Sequence, residues 1–135
     1  MKINGQCHCG EISFSADVVP DQAIICHCSD CQVLSGSPYR AVIPALESDF
    51  HIESGKEKIY VKTAEDGSKR AQAFCPKCGT PIYSAPIGKA ASNFIGIRIG
   101  AVNEKTQLIP SKQIWCRSAL NWVDNISGIE TLETQ

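Results

Sequence analysis

Seven of the eight cysteines in this chain sit in three tight groups: Cys7-His8-Cys9, Cys26-His27-Cys28-Ser29-Asp30-Cys31 and Cys75-Pro76-Lys77-Cys78-Gly79. Cys116 stands apart. Eight cysteines in 135 residues, beside one methionine and two tryptophans, mean either a disulfide framework or metal ligation. Four disulfides would admit 105 connectivities. The segment Met1-Lys2-Ile3-Asn4-Gly5-Gln6-Cys7 lacks the apolar run of a signal peptide. No apolar stretch approaches the ~20 residues that span a bilayer. The expectation is a cytoplasmic protein without a membrane segment, whose thiols stay reduced, and this favours metal over disulfides.

The length of 135 residues fits a single domain, since one domain per ~150 residues is the usual prior. Thirteen basic residues stand against 14 acidic ones, for a net charge of −1. That balance gives no electrostatic reason to expect nucleic acid or an anionic membrane as a partner. A hydrophobic content of 43% excludes a disordered chain.

The periodicity reads as all-β. Ile12-Ser13-Phe14-Ser15-Ala16 alternates with period two, as a half-buried strand does. Arg40 to Ile43, Phe50 to Glu53, Ile59 to Thr63 and Arg70 to Phe74 are further strand candidates. The last two flank Glu65-Asp66-Gly67-Ser68, a hairpin signal. Phe94 to Gly100 alternates apolar residues with Gly and Arg, and Gln113 to Cys116 reads as another strand. Helical periodicity is confined to Ser29 to Leu34, with Ser29 as the candidate N-cap.

In C-P-x-C-G the two sulfurs of Cys75 and Cys78 flank a tight turn and can reach one ion, while Gly79 permits the positive φ that ends the turn. Turn amides can then point at the thiolates. Cys7 and Cys9 share one face if their segment is extended, with His8 on the other. Together these four supply the sulfurs of a closed tetrahedral zinc site, tying an early segment to one 66 residues away. Cys26, Cys28 and Cys31 remain, and three protein ligands plus an open position mark a reactive zinc. Three thiolates with Zn²⁺ carry a net charge of −1, so the metal is a poorer Lewis acid than zinc on imidazoles. Such a site suits a thiolate ligand, or the oxygen of a thiol–aldehyde adduct, better than hydrolysis by zinc-hydroxide. Two alternatives stand beside this one. Cys116 could close the middle group into a second four-sulfur structural site, or it could be a small buried strand residue.

His27 lies between two candidate ligands and reads as a supporting or solvated residue. His51-Ile52-Glu53 with Cys75-Pro76-Lys77-Cys78 superficially matches the zinc deaminase signature, but Phe74 replaces its proline and His51 sits in a strand-like stretch. Lys56-Glu57-Lys58 and Lys69-Arg70 read as solvated hairpin faces. Arg40, Arg98 and Arg117 lie in more apolar surroundings and are candidates for gripping a carboxylate, with surface ion pairs as the alternative.

Gly5-Gln6-Cys7-His8-Cys9-Gly10, the stretch from Cys26 to Ser37, and Phe74 to Ile82 occur together in an order that resembles the glutathione-dependent formaldehyde-activating enzyme family, also called the centromere-protein-V family. Ile114-Trp115 and Ser118 to Trp122 resemble its C-terminal stretch, so the resemblance runs from about Gly5 to Trp122 and leaves 123–135 as a tail. It implies a small tent-like antiparallel β fold and two zinc ions. Cys7, Cys9, Cys75 and Cys78 would hold the structural ion; Cys26, Cys28 and Cys31 would hold the reactive one. It further implies a carbon–sulfur lyase acting on the adduct of formaldehyde and glutathione, S-hydroxymethylglutathione, with the second zinc holding the substrate sulfur or polarising the hydroxymethyl oxygen. The partner would be a small-molecule thiol adduct. The alternative is a non-catalytic zinc-stabilised binding or scaffold domain. The chain departs from the family pattern at Gln32-Val33, where members often carry a basic residue, and at Gln113, where many carry histidine.

Overall fold

The computed structural model describes residues 1–88 and 93–135. Two sheets share one core. The smaller has the order β1-β2-β5, built from β1 (Lys2–Gln6), β2 (Ser13–Asp17) and β5 (Phe50–Ser54). The larger adds β3 (Ala23–Cys26), β4 (Arg40–Leu46), β6 (Lys58–Thr63), β7 (Lys69–Phe74), β8 (Pro81–Pro86), β9 (Phe94–Arg98) and β10 (Pro110–Ile114). Its order is β10-β3-β4-β9-β8-β7-β6. The fold is mostly β, as expected, and every strand pair is antiparallel except β10 with β3, which run parallel. A parallel edge needs a long connection between its strands. Here that connection is most of the chain, which returns through β10 to cover the edge of β3.

The two sheets bury Ile3, Phe14 and Ile12 from one side against Ile43, Ile82 and Ile97 from the other. Phe50 bridges them at the rim, its ring 5.5 Å from Phe14 and 5.0 Å from Tyr83. β2 departs from strict alternation, because Ser15 is buried between Phe14 and Ala16. Its hydroxyl is satisfied there, donating to Glu53 at 2.5 Å.

The hairpin expected at Glu65-Asp66-Gly67-Ser68 joins β6 to β7. Asp66 Oδ1 accepts from the Ser68 amide at 2.9 Å, an Asx turn that closes it. Three strands carried too weak a signal to be anticipated. β1 has one large apolar residue, β3 is four residues long, and β8 is bracketed by prolines. The strand expected through Cys116 ends early. Trp115 takes a left-handed backbone, φ 57°, and Cys116 enters a 3₁₀ turn, Cys116–Ser118. Phe94 to Gly100 likewise stops being strand at Arg98 and continues as a 3₁₀ turn. Among the described residues no helix is long and apolar enough to cross a membrane.

Candidate metal centres and the cavity beside them

Cys7-His8-Cys9 lies in a turn after β1 rather than in an extended segment. The Gly10 amide donates to the Cys7 carbonyl at 3.0 Å, and the Cys7 amide to the Ile12 carbonyl at 2.9 Å. The turn after β7 repeats this closure. Gly79 N–H donates to Cys75 O at 2.8 Å, and Cys75 N–H to Thr80 O at 2.9 Å. Gly10 and Gly79 both have positive φ, 79° and 75°, as expected of Gly79. These twin turns face each other across the two sheets. The Sγ atoms of Cys7, Cys9, Cys75 and Cys78 lie within 4.8 Å of one another, with Cys7–Cys9 at 3.6 Å and Cys9–Cys75 at 3.8 Å. Sulfurs about 2.3 Å from a tetrahedral zinc are about 3.8 Å apart, so this donor set fits that ion.

Turn amides do point at the sulfurs: the Ile12 amide reaches Cys7 Sγ at 3.2 Å. The Thr80 hydroxyl lies 3.1 Å from Cys78 Sγ and, with the Thr80 amide, holds that thiol down at about 5. Cys9 behaves oppositely. Glu11's amide favours its thiolate, but desolvation and the sulfurs of Cys7, Cys78 and Cys75 outweigh it and push it up to about 11. Four sulfurs at contact distance cannot all ionise unaided; a divalent cation removes the conflict.

The second group sits at one end of the larger sheet. Cys26 closes β3, and the helix α1 (Ser29–Ser35) starts beside it. The N-cap is Cys28, one residue before the Ser29 expected. Its sulfur accepts from the Cys31 amide at 3.3 Å, because a thiolate can do what a hydroxyl does at that position. The Sγ atoms of Cys26, Cys28 and Cys31 converge within 4.8 Å. Hydrogen bonding from the Cys31 thiol lowers Cys26, and the same contact, with burial, raises Cys31. Cys116 is not among these sulfurs, which removes it as the closing fourth ligand. It is also exposed, not the buried strand residue considered for it.

His27 is 1% exposed, so it is not solvated. Its Nε2 meets Gln113 Oε1 at 2.6 Å, and its carbonyl accepts from Gln32 Nε2 at 2.8 Å. The two positions where the chain departs from the family pattern therefore both bond to His27. His51, by contrast, lies exposed on β5, away from both sulfur groups.

The three arginines separate. Arg117 forms an exposed ion pair with Glu65, its Nη2 3.0 Å from Oε2, and stacks 4.9 Å from the Trp115 ring centre. Arg40 and Arg98 are 6% and 8% exposed, and each donates to one neutral oxygen, Gln72 Oε1, at 3.3 and 2.7 Å. Burial, with Arg40 close by, lowers Arg98 to about 9. Gln72 was not anticipated; the signal was a polar residue amid Ala71, Ala73 and Phe74 of an apolar strand. Arg70, expected on a solvated hairpin face, instead lines a cavity of about 840 Å³ that also exposes Cys26, Cys28 and Cys31. The cross-strand row Gln72, Ser84, Gly96 and Pro44 lines the same cavity, whose floor stays open because Ser84 and Gly96 are small. A second cavity, about 410 Å³, shares Leu34, Gln72 and Arg98 with it.

A crystal structure of a Rhodobacter sphaeroides protein matches the fold with a TM-score of 0.60 at 18% identity, covering 79% of this chain and 97% of that one. No curated protein matches the chain. The family model for glutathione-dependent formaldehyde-activating enzymes matches residues 2–118, a span that holds all three cysteine groups, and the chain belongs to that family.

Proposed function

We propose that the protein is a zinc-dependent carbon–sulfur lyase that makes or breaks a thiol–aldehyde adduct such as S-hydroxymethylglutathione. Cys7, Cys9, Cys75 and Cys78 hold a structural zinc in this reading, and Cys26, Cys28 and Cys31 hold a reactive one, in a cytoplasmic protein. The observation that carries it is the asymmetry of the two groups. The four-sulfur group is complete, and none of its cysteines lines either of the two cavities described. The three-sulfur group has no fourth cysteine within reach and opens on about 840 Å³.

Zinc on that group supplies an electrophilic position for a sulfur or oxygen of the adduct. The chain's own residues then orient and shield the ligand. Cys28 is fixed by its cap to the Cys31 amide, and Arg40 lies near enough to all three sulfurs to offset their charge. Leu34 and Trp115 form apolar wall on the cavity. The reaction needs no oxidant: cleavage of the carbon–sulfur bond releases the aldehyde, and the hydroxyl proton ends on the thiol sulfur.

The test is metal analysis of the purified protein followed by an assay of formaldehyde release from S-hydroxymethylglutathione and other hemithioacetals. Two zinc ions per chain and turnover of at least one adduct are expected. Absence of turnover with every adduct in the zinc-loaded protein overturns the lyase reading.

A further inference from the structure

The cavity beside Cys26, Cys28 and Cys31 holds more cationic than anionic side chains, and the excess is localised. Lys62 is answered by Asp30 at 2.7 Å, and Arg117 by Glu65 at 3.0 Å. Arg40 lies within electrostatic reach of all three cysteine sulfurs. Arg98 lies in the field of the Cys31 and Cys26 sulfurs as well, and Arg70 remains. Among the described residues no carboxylate lies within ion-pair distance of either one. Among the described residues the acidic side chains on this cavity are Asp30 and Glu65, both already paired.

Arg98 is the more telling of the two. It is 8% exposed, and its Nε–H is buried with no acceptor, while its Nη2 shares Gln72 Oε1 with Arg40. A buried guanidinium is costly to keep without a carboxylate at ion-pair distance, and leaving a buried donor unmade adds to that cost. Two guanidinium groups on one neutral amide oxygen do not compensate each other. Arg98 borders both cavities, and Arg70 opens on the larger. The guanidinium fork matches the two oxygens of a carboxylate.

We infer that Arg98 and Arg70 form a carboxylate subsite on this cavity, and that the thiol taken by this protein carries a carboxylate that reaches them while its sulfur faces the three cysteines. The inference deepens the function proposed above and rests on it for the thiol end of the ligand; the carboxylate end stands on the arginines. Arg70 is then a specificity-determining residue, and Arg98 the anchor that fixes the anion's place.

Binding tests it directly, without turnover. Zinc-loaded protein is titrated with glutathione, with its dimethyl ester, and with glutarate, which has carboxylates and no thiol. Trp115 fluorescence and calorimetry are the readouts. The native protein should bind glutathione about tenfold more tightly than the diester, the scale of one charge-assisted contact. Arg70→Gln should bring that ratio to within about twofold by weakening glutathione alone, and Arg98→Lys should reduce it as well. Glutarate should bind the native protein and lose affinity in Arg70→Gln. An unchanged ratio in Arg70→Gln, or equal weakening of glutathione and diester, overturns the subsite. If glutarate binding depends on Arg70 while neither thiol binds, the thiol reading fails and the subsite stands. If neither glutarate nor the thiols depend on Arg70, the subsite fails whatever the thiols do at the metal.

Discussion

Cys28 does two things with one sulfur. It is one of three converging sulfurs, and it caps α1 through the Cys31 amide at 3.3 Å. Serine is a favoured N-cap, so Cys28→Ser keeps the cap while weakening the donor set. The expected outcome is loss of formaldehyde release with a melting temperature within a few degrees of the native protein. Cys78→Ser has no such compensation, and its melting temperature should fall far below that of Cys28→Ser in the same calorimetric comparison. Equal losses would show that the two groups do not differ in role. His27 offers a second residue-scale test. Gln113 is the one side chain bonded to its ring, and Nδ1 already lacks a partner. Gln113→Leu would leave both ring nitrogens of a buried imidazole unsatisfied, a cost of about 1–3 kcal/mol. Urea unfolding measures it; a change below a few tenths of a kcal/mol would mean water reaches the ring.

At the scale of elements, the cysteine turns and the hairpin were legible because their instructions are local. Cys75-Pro76-Lys77-Cys78-Gly79 and Glu65-Asp66-Gly67-Ser68 each carry their own turn chemistry. Cys7-His8-Cys9 is a turn, not the extended segment on which its two sulfurs would share a face. What bends it is a pair of hydrogen bonds, Gly10 N–H donating to the Cys7 carbonyl and Cys7 N–H to the Ile12 carbonyl, and Gly10 supplies the required φ of 79°. β1 carries little local signal for a related reason. It is a strand because of what it touches, not because of what it contains. Gly5 shows this best: a Cβ there would lie 2.2 Å from Phe14 Cζ and 2.5 Å from the Ala101 carbonyl oxygen. Neither neighbour is a flexible chain end. Gly5→Ala should therefore destabilise the protein by about 3 kcal/mol, at the upper end of overpacking costs. The shift in urea midpoint checks this, and an unchanged midpoint would mean the ring and strand move apart freely.

For the whole molecule, the four-sulfur group is a clasp between sheets. Cys7 and Cys9 follow a strand of the smaller sheet; Cys75 and Cys78 follow a strand of the larger. Closing the 66-residue separation from Cys9 to Cys75 restrains the unfolded chain by about 4 kcal/mol on the loop-entropy estimate used for covalent cross-links. Chelation should then proceed in two stages. One metal equivalent leaves while the circular dichroism stays native, and the second leaves only with unfolding. Metal release followed by chromogenic indicator alongside circular dichroism separates the stages, and a single concerted loss would contradict unequal centres.

The donor chemistry, the pairing of C-x-C with C-x-x-C, the family and the β class are all legible in the chain, because ligand spacing and period-two patterning are local properties. Long-range packing set the rest. It kept Cys116 away from the second group, turned Arg70 from a hairpin face toward a cavity, and buried Arg98 on the same neutral oxygen as Arg40. Each of those outcomes depends on which strands become neighbours in the larger sheet. That order brings residues 26, 40, 72 and 98 to one wall, and no local pattern in the chain encodes it.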